Sequence, residues 1–140
     1  MLAAMKKGKW DTIELEYDNY ILRLRPQADL VYELDDLLSF HQHVLEFTQT
    51  AKFLVLSDFR EHHLSLSKEV IQYAAKNPEL NEAKLAEAVL VKPLPNMMVA
   101  RFFINVLRPL TTTKIFRSED QAMEWLEQVR AAELEISQAP

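Results

Sequence analysis

The sequence predicts an α/β domain built on one mixed sheet with helices packed against it. Three observations carry this. Two alternating runs joined by a turn pair lie near the N-terminus, two continuous apolar runs lie farther on, and helical stretches follow each of them. The expected order is ββαβαβαβα. With no repeat, low-complexity tract or linker, residues 12–132 read as a single domain, 1–11 as an N-terminal extension and 133–140 as a C-terminal tail.

The first run is Thr12 to Tyr17, where Ile13, Leu15 and Tyr17 alternate with polar residues. Asp18-Asn19 is a turn pair that tolerates left-handed geometry. Tyr20, Leu22 and Leu24 then alternate with Ile21, Arg23 and Arg25, so the two runs form an antiparallel hairpin ended by Pro26. Leu34 to Thr50 predicts a helix, because Leu34, Leu37, Leu38, His41, Val44, Leu45 and Thr48 recur at helical spacing. Asp35 and Asp36 suit its positive first turn.

Phe53-Leu54-Val55-Leu56 is a strand buried on both faces, followed by a polar loop from Asp58 to Leu64. A helix begins at Ser65 or Ser67, runs to Lys76 and stops at Asn77-Pro78, since a residue before proline avoids helical geometry. Ala86 to Val91 is a second buried strand. Asn96 to Leu107 is a helix stopped by Pro109, and Thr113 to Phe116 a short strand. Ser118 with Gln121 forms a capping box. The last helix turns Ala122, Trp125, Leu126 and Val129 inward, and Ser137 to Pro140 reads as a loose tail.

Composition closes off several function classes. The 140 residues include no cysteine, so neither disulfides nor thiolate metal sites arise, and a cytoplasmic location is expected. The single glycine, Gly8, leaves no phosphate-cradling loop. A net charge of −5 without a basic cluster argues against nucleic acid. No apolar run reaches the length of a membrane span. No serine sits in a nucleophile elbow, and the acid pairs Asp35-Asp36 and Glu119-Asp120 fall in helix first turns. We therefore expect no enzyme, no catalytic residue and no cofactor.

This order of elements resembles the SpoIIAA-like fold shared by STAS domains and by small bacterial STAS/SEC14-like proteins of unknown function. The closest local likeness is Thr113-Lys114-Ile115-Phe116-Arg117-Ser118-Glu119-Asp120-Gln121-Ala122-Met123-Glu124-Trp125-Leu126, a short strand, a cap and a Trp-Leu helix. The strand Phe53 to Leu56 ending in Ser57-Asp58 is also similar to the family's central strand. STAS antagonists carry an Asp-Ser-Ser/Thr-Gly-type turn after that strand, with a phosphorylated serine. Here residues 57–67 contain no such turn, although Ser65 and Ser67 lie near its place.

Four candidate sites follow. Ser65 and Ser67 are phosphorylation candidates at a helix start, where either also serves as a plain cap. Asp58, Glu61, His62 and His63 cluster after the central strand, where ligands gather in open α/β sheets. Adjacent histidines point apart, so no metal is expected there. His41 falls on its helix's apolar stripe as a core histidine, and His43, two residues on, faces elsewhere. Finally, the helix from Asn96 is apolar nearly all round, with only Arg101, Asn105 and Arg108 as a polar stripe. Either it is deeply buried, or Met98, Arg101, Phe102, Phe103 and Arg108 meet a partner or ligand.

Two functional readings result. The first is a STAS-like protein-interaction or regulatory module, with a protein partner or a second copy of itself in a homodimer. The second is a carrier of a lipid or other apolar small molecule, which requires a cavity lined by Met98, Phe102 and Phe103. An enzyme would require Asp58 to converge with His62 or His63 in a pocket.

Overall fold

Apolar residues alternate with charge along the first hairpin and run continuously through the central strands, so the sheet must be covered on both faces. The computed structural model, which describes residues 5–49, 52–92 and 94–138, shows how. Strands β1 (Lys6–Trp10), β2 (Ile13–Asp18) and β3 (Ile21–Pro26) are antiparallel, and β5 (Phe53–Phe59), β7 (Lys84–Val91) and β8 (Thr113–Phe116) continue parallel to β3. Together they make one six-stranded mixed sheet in the order β1-β2-β3-β5-β7-β8. Two three-residue strands, β4 (Leu30–Tyr32) and β6 (Leu64–Leu66), pair in parallel beside it.

Among the described residues five α-helices cover the sheet: α1 (Leu34–Phe47), α2 (Lys68–Lys76), α3 (Pro78–Glu82), α4 (Leu94–Phe102) and α5 (Glu119–Gln138). On one face α1 lays Val44 and Phe47 onto Leu15, Leu22, Phe53 and Val55, and α4 lays Met97 onto Val89 and Val91. On the other face Ala122 and Leu126 of α5 pack on Leu54, Leu56, Ala88 and Leu90. This is the fold class expected, and the alternation along β5 explains it. Phe53, Val55 and Ser57 face the first layer, while Leu54, Leu56 and Asp58 face the second.

Several elements differ from expectation. The stretch expected as an extension contributes the edge strand β1, whose Gly8 lies opposite Leu15. A Cβ on Gly8 would come within 2.7 Å of the Phe47 ring, so this position needs a residue without one. The hairpin turn is Asn19-Tyr20, one residue later than expected. Both have positive φ, the geometry of a tight I′ turn between Asp18 and Ile21. Tyr20 is thus an exposed turn residue and not a strand residue.

Helix α1 ends at Phe47, where the Thr48 hydroxyl donates to the Val44 carbonyl at 2.9 Å; Thr50 lies outside the described residues. Asn77 does end α2, but its Oδ1 accepts from the Leu80 amide at 2.9 Å and starts the short α3, with Pro78 at its first position. After Phe102 the backbone widens into a π-helical turn, Phe103–Leu107, closed by Arg108 in the left-handed region at φ 50°. Ser118 accepts from the Gln121 amide as the expected cap, and α5 runs on to Gln138, into the stretch expected as tail; 139 and 140 lie outside the described residues. No helix among the described residues is long and apolar enough to cross a membrane.

Candidate functional site

Between the sheet and the layer formed by α1, α2 and α4 lies a cavity of about 220 Å³. Its floor is made by β3, β5 and β7 through Leu24, Val55 and Val89, and its roof by Val44, Ala74 and Phe103. The walls are mostly hydrocarbon. Such space suits an apolar guest; a smaller cavity, of about 150 Å³, takes up benzene.

One polar row crosses the floor. Ser57 on β5, only 2% exposed, donates its hydroxyl to Glu87 Oε2 at 3.1 Å. Lys84, three residues earlier on β7, donates from Nζ to the other oxygen of Glu87 at 3.3 Å. Thr113 of the neighbouring strand lines the same space, and His41 faces it from α1. Burial and the nearby Lys84 charge hold the His41 imidazole below its ordinary pKa, against the opposing pull of Glu79. His41 is therefore a half-buried cavity wall and not a residue of the closed core. His43 stacks on Phe47, its ring centroid 6.2 Å away.

The roof is fastened at both ends of α4. Asn96 is fully buried; its amide donates to the carbonyls of Phe59 at 2.9 Å and His62 at 2.6 Å, and its oxygen accepts from the Leu64 amide at 3.0 Å. Beyond the π-helical turn, Lys76 Nζ donates to the Arg108 carbonyl at 2.8 Å, and the Leu110 amide to the Ala75 carbonyl at 2.9 Å.

The expected cavity residues are divided by this helix. Phe103 lines the cavity, with Val99, Ala100 and Ile104. Met98 and Phe102 do not. They point outward, and with Val106 they form an exposed apolar stripe at four-residue spacing, with Leu110 exposed beyond the end of the helix; Met98 is 64% exposed. Arg101 and Arg108 are exposed beside it.

The acid and histidine cluster does not converge. Asp58 is not a loop residue: β5 extends through it, and its side chain lies on the α5 face of the sheet. Arg60 grips it through three contacts, its backbone amide to Oδ1 at 3.2 Å, Nε to Oδ1 at 2.9 Å and the NH2 group to Oδ2 at 2.8 Å, and Arg25 Nε adds a fourth at 3.3 Å. Burial pushes the Asp58 carboxyl up, but the Arg60 hydrogen bonds and the Arg60 and Arg25 charges outweigh it, and the pKa is lowered. Arg23 and Arg25 also reach Glu119 at the start of α5. His62 and His63 turn instead to Asp29, through Nδ1 at 3.5 Å and the His63 amide at 2.9 Å. Glu61 is exposed, and no three His, Asp or Glu residues among those described are grouped to hold a metal ion. Ser67 caps α2, accepting from the Val70 amide at 3.2 Å, whereas Ser65 is an exposed residue of β6 and not at a helix start.

Ser57, Lys84 and Glu87 escape the sequence reading as site residues. A signal exists: Ser57 closes a run of four apolar residues, and Glu87 stands between Ala86 and Ala88. A polar group inside a strand covered on both faces needs a partner, and these two supply each other.

The fold has a solved counterpart. An uncharacterised protein of the DUF3478 family from Shewanella loihica PV-4, described as having a SpoIIAA-like fold, superimposes with a TM-score of 0.54. The match covers 88% of this chain and 92% of that one at 15% identity, so the likeness is one of fold. No curated protein matches the sequence. Residues 13–130 match the profile of a domain of unknown function, DUF7793. That span holds every strand but β1 and every element around the cavity, and the chain belongs to the DUF7793 family with a SpoIIAA-like fold.

Proposed function

We propose that this domain is a non-enzymatic binding module that takes a small apolar molecule between its sheet and its α1–α2–α4 layer. The carrying observation is the apolar cavity of about 220 Å³ between sheet and helices. Empty apolar space forfeits contact energy, so a guest that fills it gains what the protein lacks. The test is a titration of the purified protein with toluene, followed by methyl NMR. Shifts centred on Val55, Ile71, Val99 and Ile104 are expected. Unchanged spectra at saturating toluene would refute the reading. Native mass spectrometry of protein purified from its natural host would then give the mass of any resident ligand.

A second reading, contact with another protein, is favoured by the outward stripe Met98, Phe102 and Val106, with Leu110 exposed beyond it. Residues 92–118 contain five of the 16 basic residues and none of the 21 acidic ones. Two copies joined stripe to stripe would bring like charges together, so an acidic partner suits this surface better than a homodimer. Phe102→Glu is expected to abolish capture of such a partner while leaving toluene binding unchanged. Sedimentation showing a dimer that Phe102→Glu splits would overturn the choice of an acidic partner.

A further inference from the structure

The polar row on the cavity floor has a chemistry of its own. Lys84 and Glu87 form an ion pair at 3.3 Å, and Ser57 donates to the same carboxylate. The row is thus balanced in charge before any guest arrives. An ammonium has three N–H donors, and one here goes to Glu87, so donor capacity remains on Lys84. The Ser57 oxygen keeps lone pairs while its proton serves Glu87. An anionic guest would meet the Glu87 carboxylate beside Lys84 in a low-dielectric space, where like charges repel strongly. A neutral oxygen meets no such penalty. It accepts from Lys84 while its hydrocarbon chain lies along Val55, Val89 and Phe103.

We infer that the cavity selects an apolar molecule bearing one neutral oxygen function at its end, a ketone, ester or amide carbonyl or an alcohol, held by Lys84 beside the Ser57–Glu87 pair. This rests on the cavity reading above and adds the ligand's chemical class. It also makes Glu87 the residue that excludes carboxylates.

The experiment uses three probes of similar length at pH 7.5, namely 2-octanone, octanoate and propylbenzene, titrated by calorimetry into the full chain. Wild-type protein is expected to bind 2-octanone at least tenfold more tightly than octanoate. Lys84→Met should weaken 2-octanone about tenfold and leave propylbenzene within twofold, since a hydrogen bond from a charged donor contributes on the order of 1.5 kcal/mol. Glu87→Gln keeps shape and one acceptor but unmasks Lys84, so octanoate should gain about tenfold relative to the ketone. Circular dichroism confirms the folding of each variant, and Ser57→Ala gives a milder change on the same row. Octanoate binding wild type as well as the ketone would overturn the inference, as would Lys84→Met and Glu87→Gln leaving the relative affinities of the probes unchanged. In either case propylbenzene binding would leave the cavity reading standing. Failure of all three probes would remove both.

Discussion

Filling the cavity from its roof should stabilise the protein. Ala74 of α2 lines the space, while its neighbour Ala75 is fully buried against packed surroundings outside it. Ala74→Leu adds three carbons, each contributing about 0.8 kcal/mol when buried. Ordering the leucine costs roughly 0.5–1 kcal/mol, leaving a gain of about 1.5 kcal/mol. Leucine also suits a helix. For a chain of this length that corresponds to a rise of about 5 °C in Tm. Ala75→Leu has no space to enter and should cost about 1–3 kcal/mol by overpacking. Thermal unfolding of ligand-free protein by circular dichroism reads both, and a toluene titration of Ala74→Leu should show lost or weakened binding. A folded Ala74→Leu variant with unchanged or lower Tm would refute the reasoning, because the space would then be unable to admit even a side chain already at its edge.

Three further outcomes follow from other parts of the fold. Asp58→Asn should cost about 2 kcal/mol in urea unfolding at pH 7, because Arg60 and Arg25 lose a buried carboxylate. The lowered Asp58 pKa makes that contribution complete above the unfolded-state value near pH 4, and it is lost as pH falls through the folded-state value, so the gap between variant and wild type should close in acid. His41 runs in the same sense for a different reason. Burial and the Lys84 charge lower its pKa in the fold, so the unfolded chain takes up the proton first as pH falls below about 6.5. Stability present above that pH declines toward the folded-state pKa, and His41→Gln should flatten the urea midpoint between pH 7.5 and 5. Tyr20→Gly relieves a bulky residue at φ 68° in the hairpin turn and should raise stability by about 1 kcal/mol; a loss in thermal unfolding would show that the tyrosine ring's contacts outweigh its backbone strain.

What the sequence makes legible is set by period and length. The alternation from Ile13 to Leu24 and the unbroken run Phe53 to Leu56 have one physical meaning each, and the hairpin and central strand appear where they should. β1 does not announce itself, because Lys6, Lys7, Gly8 and Lys9 carry no apolar alternation. An edge strand needs little burial, and its lysines guard against sheet-to-sheet association. β4 and β6 are three residues each, shorter than any period that could mark them, and their pairing depends on contacts such as the Leu30 amide to the His63 carbonyl at 2.9 Å. The hairpin turn slips by one residue because Asp18-Asn19 is the better turn pair chemically. Register is decided instead by burying Leu22 and Leu24 opposite Tyr17 and Leu15.

The site is less legible than the fold, and α4 shows why. Its composition identifies an element too apolar for an ordinary surface helix, but composition alone does not say which side faces what. Phe102 and Phe103 are adjacent and identical, yet one is exposed and the other lines the cavity. Asn96, one of the few polar residues of that segment, is fully buried and ties the helix to the ends of β5 and β6, three hydrogen bonds that no spacing rule foretells. The floor row is hidden for the complementary reason. Ser57 lies 30 residues before Glu87, far from it and from Lys84 in sequence, and meets them only because β5 and β7 pair in parallel with a register shift near Phe53. Apolar excess in α4 and polar intrusion in the central strands are thus two sides of one arrangement. A helix with hydrocarbon on both faces can roof a cavity and still present an apolar surface. A strand pair with an internally balanced polar row can floor that cavity without leaving a charge unpaired.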